Sequence, residues 1–349
     1  MKINKEYIKR NIARIPRFFR QWRLYNFSVA FWTFIVPFSQ LSVRLEIFSN
    51  GQKHRCILQY LYKRYVAVID PFIKKDTAIE SLIESDATIW VCWWDGEESM
   101  PKLVNACYNS IKQYAGTHPV KLITKHNFRD FISIPEYILE KVNTGIMTVT
   151  HFSNILRANL LYDYGGIWMD ATILVLKNIS LENLPFYTLK APAKKSSSVT
   201  LTRFSGISNL SMHLHDKSNP QISRWSGFLF AGRKHSIVFE YMREILYAYW
   251  KDHNDQIDYL LYDYTIALGY DNISIIKKLI DNVPCSDAEK FVLEKNMNTE
   301  FSEEKFAQYA LIPFHKLTWK MKFDVYTKDN KLTMYGYILN TFLNQDKDL

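Results

Sequence analysis

Short apolar runs alternate with amphipathic stretches between residues 87 and 149, and this pattern predicts the central elements of the chain. Residues 87–94 (ATIWVCWW) are apolar, β-rich and followed by a turn signal, so we expect a buried strand there. A helix is predicted over 101–114, and further strands over 120–124 and 146–149. Strands that alternate with helices favour an α/β fold with a largely parallel sheet.

The first predicted strand points to a ligand-binding edge. Parallel sheets bind ligands beyond the carboxyl ends of their strands. Asp95 and Gly96 are expected at such an end, and Trp93 or Trp94 lies close by. This edge is therefore where a ligand is expected to bind.

Residues 151–176 hold the most informative pattern, in which a predicted helix runs into a strand. Ser153 is expected to cap the helix, and apolar residues at every fourth position mark its core face. Asn154 and Arg157 are three residues apart and share a different face. The pair Gly165-Gly166 then stops the helix and turns the chain.

Composition and charge divide the chain into two regions. With 349 residues, 48% of them hydrophobic and 23% charged, the chain is typical of a globular protein. Eight basic residues and one acidic residue precede Leu24, so +7 of the net charge of +9 lies there. We expect a helical, basic N-terminal region over 1–85 and one large domain over 86–340. The charge is local, which excludes a nucleic-acid footprint over the whole protein.

The basic start runs into residues 24–41, an aromatic stretch that Pro37 and several polar residues interrupt. A membrane-spanning helix needs about 20 predominantly apolar residues. We therefore expect residues 1–41 to lie on a membrane surface, with arginines facing anionic headgroups. This predicts a cytoplasmic protein held at the inner face of the plasma membrane. The alternatives are a helix packed on the following domain and a spanning helix. The four widely spaced cysteines favour neither a disulfide framework nor a zinc site.

Asp170 is the first candidate for chemistry. A short strand predicted over 167–169 ends at this residue, and strand-like apolar sequence resumes over 173–176. A lone carboxylate between two buried runs needs a partner, because burying an unpaired charge is costly. A divalent cation that carries a diphosphate would be such a partner.

These residues carry a resemblance to a known family. The string S-N-x-L-R-x-x-x-L-x-x-x-G-G-x-W-x-D-A-T resembles the sugar-binding region of DXD-type glycosyltransferases, and most closely the bacterial capsular polysaccharide synthesis protein family. The resemblance also covers residues 89–98, 118–124, 260–270 and 314–320. It implies a GT-A fold, which is a Rossmann-like nucleotide-binding sheet flanked by helices. It further implies retaining transfer from a nucleotide-sugar donor, expected to be a UDP-sugar, to a capsular polysaccharide or lipid-linked oligosaccharide acceptor.

The resemblance also implies roles for individual residues. Asp170 matches the first DXD carboxylate, which would bind Mn²⁺ or Mg²⁺, whereas Thr172 stands where the second carboxylate is expected. Donor-sugar contacts are implied for Asn154, where relatives have an acid, and for Arg157. Aromatic contacts to the donor are implied for Trp168 beside the sugar and for Trp93 or Trp94 on the base.

Two further candidates come from the C-terminal half. By the same resemblance, His315 is expected as a second metal ligand and Lys316 as a diphosphate contact; the alternative is an ordinary His-Lys pair in a surface loop. Asp263 lies in an otherwise apolar helix and is the candidate for positioning the acceptor or stabilising an oxocarbenium-like state. A buried aspartate hydrogen-bonded to a neighbouring element is the alternative for this residue.

Two other functions compete with the transferase prediction. A nucleotidyl- or phosphotransferase could use a similar sheet and Asp–metal site, but it should lack the S-N-x-L-R helix before the double glycine. Thr172 in place of an acid also fits a non-catalytic sugar-nucleotide-binding or polysaccharide-binding subunit of a membrane-attached assembly. Donor hydrolysis or transfer by the purified protein, with and without Mn²⁺, distinguishes these possibilities.

Overall fold

The computed structural model describes residues 13–75, 81–181, 183–192, 207, 222–285 and 291–343. A short 3₁₀ helix, Val36–Leu41, lies between the α-helices Phe27–Ile35 and Val43–Ile73. In chain order the α-helices of the described residues are α1 (Arg14–Leu24), α2 (Phe27–Ile35), α3 (Val43–Ile73), α4 (Lys102–Gln113), α5 (Glu136–Asn143), α6 (Val149–Tyr164), α7 (Ile237–Asp252), α8 (Leu261–Asn272), α9 (Ser274–Asn282), α10 (Val292–Lys295), α11 (Glu303–Ala310) and α12 (Met334–Leu343).

The strands form one five-stranded sheet and two short ribbons. The strands are β1 (Ile89–Cys92), β2 (Val120–Ile123), β3 (Gly166–Asp170), β4 (Ile173–Val175), β5 (Phe186–Thr188), β6 (Ala191–Pro192), β7 (Ile222–Ser223), β8 (Leu229–Gly232) and β9 (Phe314–Lys316). The five-stranded sheet has the order β2-β1-β3-β8-β5, while β4 pairs with β9 and β6 with β7.

The main sheet is mixed, which corrects the prediction of a largely parallel one. Strands β2, β1 and β3 are parallel, and β8 and β5 pair antiparallel beside them. Helices α4, α5 and α6 provide the crossovers that parallel neighbours require. In the register of β1 with β3, Cys92 lies opposite Asp170. The parallel strands therefore end together at Asp170, and α/β is the fold class that the structure supports.

Two local predictions around α6 are wrong. Residues 146–149 do not form a strand; they lead into α6, which begins at Val149. Ile146 and Val149 are both exposed, so no sheet face buries this apolar run. Ser153 lies inside α6 and donates a hydrogen bond to the Thr150 carbonyl, whereas Thr148 occupies the N-cap position.

The N-terminal helices pack against the rest of the protein. Val29 and Ile57 belong to the same apolar core as Trp168 of the main sheet. Lys53 of α3 forms an ion pair with Asp258 at 2.9 Å, and His54 shares a 2.6 Å hydrogen bond with Tyr264 of α8. Among the described residues, no helix is both long and apolar enough to cross a membrane.

Candidate functional site

The turn from α6 to β3 fixes where the site forms. Gly165 and Gly166 both have positive φ, at 70° and 104°, a region that favours glycine. The indole Nε1 of Trp90 in β1 donates a 2.9 Å hydrogen bond to the Gly165 carbonyl. A Cβ on Gly166 would lie 2.3 Å from the Thr88 carbonyl oxygen, so only glycine lets β3 approach β1 this closely. As predicted, the double glycine ends the helix and leads directly to Asp170.

Asp170 is the centre of a cluster of donors. Its Oδ1 accepts from a terminal nitrogen of Arg157 at 3.2 Å and from Trp168 Nε1 at 3.1 Å. Its Oδ2 accepts from Lys316 Nζ at 2.9 Å. The Asp170 side chain is 31% exposed, so this part of the cluster is accessible to solvent.

Lys316 reaches this cluster through the β4–β9 ribbon. Its Nζ also donates to Thr172 Oγ1 at 2.6 Å, so the ammonium bridges residues 170 and 172. The Phe228 ring lies 5.1 Å from the ammonium, within cation–π range. The structure thus brings together three of the residues that the sequence singled out, Asp170, Thr172 and Lys316, whereas their roles in binding stay predictions.

Arg157 is held on three sides and is 5% exposed. Its guanidinium lies between the rings of Trp168 and Tyr262, at 4.8 and 4.7 Å. It also donates to Asn154 Oδ1 at 3.3 Å. Its Nε is buried and has no hydrogen-bond partner among the described residues. Because the Arg157 guanidinium packs against both rings, its orientation toward Asp170 is fixed.

The charges of the cluster do not cancel. Burial alone would raise the pKa of Asp170, but the Lys316 ammonium, the Arg157 guanidinium and their hydrogen bonds outweigh it and lower the pKa below its usual value. The carboxylate is therefore ionised near neutral pH, and the three side chains Asp170, Lys316 and Arg157 together carry one negative charge and two positive ones. The excess positive charge suits an anionic ligand.

Two tryptophans flank the same end of the sheet. Trp93 directly follows β1, and its ring makes an edge-to-face contact with Trp319 at 6.0 Å. Trp319 is 45% exposed and follows β9 by three residues. Trp94 instead packs against Phe128 and Phe152 of the core. Both tryptophans are half-buried, but of the two only Trp93 makes a ring contact with the exposed Trp319.

Sequence reasoning missed Trp319, Phe228 and Tyr262 as neighbours of the site. Trp319 belongs to the same FHKLTWK stretch that contains Lys316, and this proximity was the available signal. Tyr262 lies in the stretch 260–270 that the resemblance also covers, whereas nothing local distinguishes Phe228 from the other core aromatics of this chain.

Asp263 lies in α8 next to Tyr262, the residue that packs on Arg157. Its Oδ1 accepts a 3.1 Å hydrogen bond from Trp225 Nε1, in the segment before β8. This contact matches the structural alternative, an aspartate bonded to a neighbouring element. A catalytic role for Asp263 stays a prediction.

His315 does not join the cluster, contrary to the sequence-based expectation. Successive residues of a strand face opposite sides, and Lys316 faces Asp170. The imidazole is fully buried and its Nε2 lies 2.9 Å from the Tyr309 carbonyl oxygen. Burial lowers the pKa of His315 to about 4, so the ring is neutral. Its placement is that of a core histidine rather than a metal ligand beside Asp170.

The fold and this cluster define an α/β protein that holds one carboxylate between two cations at the end of its parallel strands. A family model described as capsular polysaccharide synthesis protein matches residues 39–338. The chain therefore belongs to the capsular polysaccharide synthesis protein family, as its motifs predict. This membership indicates a role in capsule biosynthesis. No curated protein matches the chain.

The donors around Asp170 do not fit the divalent cation that the resemblance implies. Mn²⁺ and Mg²⁺ favour several oxygen ligands, with carboxylates foremost. Among the described residues, Asp170 is the only carboxylate in ion-pair contact with Lys316 or Arg157, and Glu294 interacts with the Lys316 charge from farther away. Both oxygens of Asp170 already accept hydrogen bonds. Thr172 offers a hydroxyl that accepts from Lys316. Within the described residues, no group of three or more His, Cys, Asp or Glu side chains is placed to hold a metal.

Proposed function

We propose that this protein is a glycosyltransferase of capsule synthesis. It transfers a sugar from a nucleoside-diphosphate sugar, of which a UDP-sugar is the expected form, to a capsular polysaccharide or its lipid-linked precursor. The observation that carries the proposal is the cluster of Lys316, Arg157 and Asp170, which leaves one positive charge at the carboxyl ends of the parallel strands. That charge complements a diphosphate.

The proposed chemistry places negative charge where the cations lie. The acceptor hydroxyl oxygen forms a bond to the anomeric carbon and loses its proton to solvent. The bond from that carbon to the diphosphate breaks, and its electron pair stays on the diphosphate oxygen. Fixed cations stabilise such developing charge more than water does, because they need no reorganisation. Trp93 and Trp319 offer ring surfaces for the base or the sugar.

A donor screen followed by a turnover assay tests this function. Purified protein is heated with UDP-, GDP-, CDP- and dTDP-sugars, and a ligand that binds only the folded state raises Tm. We expect UDP-sugars to raise Tm and to release UDP when capsular oligosaccharide is added. Binding without UDP release would support the non-catalytic binding subunit instead. No Tm shift and no release with any donor would contradict a sugar-nucleotide function.

We also propose that the N-terminal helices dock on an anionic membrane surface. Ring contacts run continuously from Trp22 through Phe27 and Phe31 to Trp32 and Phe48, joining α1, α2 and α3. Exposed apolar side chains, each at least 37% accessible, share these helices: Ile15, Phe19, Trp22, Leu24, Phe27, Phe31, Val43, Leu45 and Phe48.

The exposed arginines of α1 indicate what type of surface these helices bind. Arg17 and Arg23 are exposed on α1, beside the aromatic side chains. Arginines next to exposed rings favour a layer of anionic headgroups over an apolar core, which is the composition of a membrane interface. The four basic residues before Arg14 lie outside the described residues.

Replacing Phe19, Trp22 and Phe31 together with serine should weaken vesicle binding roughly tenfold or more, because each buried ring contributes apolar area. Co-sedimentation with vesicles of phosphatidylglycerol and phosphatidylcholine measures the effect. Binding should fall as salt rises and should be weak on phosphatidylcholine alone. The matched control is Leu311→Ser with Tyr326→Ser, two exposed apolar residues in the C-terminal part. Equal binding of both variants would rule out this docking surface.

A further inference from the structure

The ammonium of Lys316 contacts both Asp170 and Thr172. Its distances are 2.9 Å to Asp170 Oδ2 and 2.6 Å to Thr172 Oγ1. Residues 170 and 172 are the two positions that the DXD resemblance assigns to cation binding. A single positive charge from the chain itself thus joins both positions.

We propose that Lys316 takes the place of the divalent cation, so that this protein binds the diphosphate of its donor without a metal. This inference rests on the proposed function for the identity of the donor. It concerns only how the diphosphate is held.

The backbone keeps Lys316 at this position. Lys316 pairs with Ile173, the first residue of β4, which begins three residues after Asp170. Its side chain is 19% exposed and the Phe228 ring lies 5.1 Å from its ammonium. A cation bound to Asp170 Oδ2 would be brought close to this ammonium and repelled by it. The Lys316 ammonium would therefore oppose metal binding at Asp170.

The cluster keeps its net positive charge because residue 172 is a neutral threonine and not an acid. With a carboxylate at residue 172, two negative charges would neutralise Lys316 and Arg157, and no charge would remain for a diphosphate. The neutral hydroxyl fixes the ammonium by accepting a hydrogen bond and leaves the excess charge in place. Arg157 supplies the second cation, and its buried Nε has no partner among the described residues. The Lys316 ammonium therefore accounts for a threonine at the second DXD position. The threonine hydroxyl in turn helps to hold the ammonium in place.

Calorimetric titration of the full chain with UDP and with inorganic pyrophosphate tests the inference. The protein is first treated with EDTA, and the titration is repeated with Mn²⁺ or Mg²⁺ present. We expect both probes to bind in EDTA, with affinities that change less than about threefold when metal is added. Binding that appears only with metal would overturn the inference.

Variants at residues 316 and 172 sharpen the test. Lys316→Ala should weaken binding in EDTA about tenfold to a hundredfold, the range for loss of a charge-assisted hydrogen bond. Lys316→Met keeps the aliphatic stem and should show the same loss if the alanine variant is poorly folded. Lys320→Ala removes an exposed lysine of the same segment and should change nothing. Wild-type affinity of a folded Lys316 variant would refute the role of the ammonium.

The double variant Lys316→Ala/Thr172→Asp should regain binding only with Mn²⁺, because it restores an acid pair and frees the space between them. A folded double variant without any Mn²⁺ response would show that the ammonium does not stand at a cation position. Metal-free pyrophosphate binding without sugar transfer would contradict the proposed function and leave this inference intact. Sugar transfer that requires Mn²⁺ would support the proposed function and contradict the metal-free inference. If neither UDP nor pyrophosphate binds under any condition, the proposed function and the inference are both overturned.

Discussion

Asp170→Asn is expected to lower kcat/KM for sugar transfer about a hundredfold to a thousandfold while the protein stays folded. The amide keeps the shape of the side chain but removes the negative charge that holds Lys316 and Arg157 together. Without it, the two cations repel each other and lose their shared position. The expected loss is in the range seen when one preorganised electrostatic group is removed from an active site.

An aspartate of similar exposure provides the control for that substitution. Asp163 forms an ion pair with Arg243 at 3.6 Å, and its side chain is 37% exposed. Asp163→Asn should leave kcat/KM unchanged. Circular dichroism and thermal unfolding would establish that both variants are folded. Turnover of Asp170→Asn at the wild-type rate would exclude this carboxylate from the site.

Gly166→Ala is expected to destabilise the protein by about 3–5 kcal/mol, from strain at positive φ and from overpacking. The new Cβ would lie 2.3 Å from the Thr88 carbonyl oxygen and 2.9 Å from Trp90 Nε1. Both neighbours belong to the β1 side of the sheet, so β3 would have to move away from it. The free energy of unfolding, measured with urea, quantifies the effect.

A second glycine separates the two causes of that loss. Gly145 also has positive φ, at 74°, but a Cβ there would meet nothing within 4 Å. Gly145→Ala should therefore cost only about 1–2 kcal/mol, the strain of the backbone alone. Equal losses in the two variants would mean that close packing of β3 against β1 contributes nothing.

The sequence predicted the site best where local chemistry determines structure. The double glycine demands a turn, the apolar run after it demands a strand, and Asp170 must then lie at the strand's end. Lys316 lies 146 residues away from Asp170, and it was found only because its motif resembles a family pattern.

Other features could not be predicted because pairing between distant segments decides them. Strands β8 and β5 turn a parallel sheet into a mixed one, and nothing within either strand specifies its direction. The sequence predicted the wrong orientation for His315. Strand β9 has three residues, too few for the sequence to show which alternate positions face the core. In the same way, the sequence does not show which of Trp93 and Trp94 packs against Phe128 and Phe152.

The shared core of the N-terminal helices and the main sheet also has a consequence for stability. Val29 and Ile57 contribute to the same apolar core as Trp168, which packs on Arg157. Segments that share one apolar core stabilise each other by the surface that they bury together. The helices that we assign to the membrane surface are thus not a removable anchor. Removing them would expose the apolar surface of the core on which Trp168 and the Asp170 cluster rest.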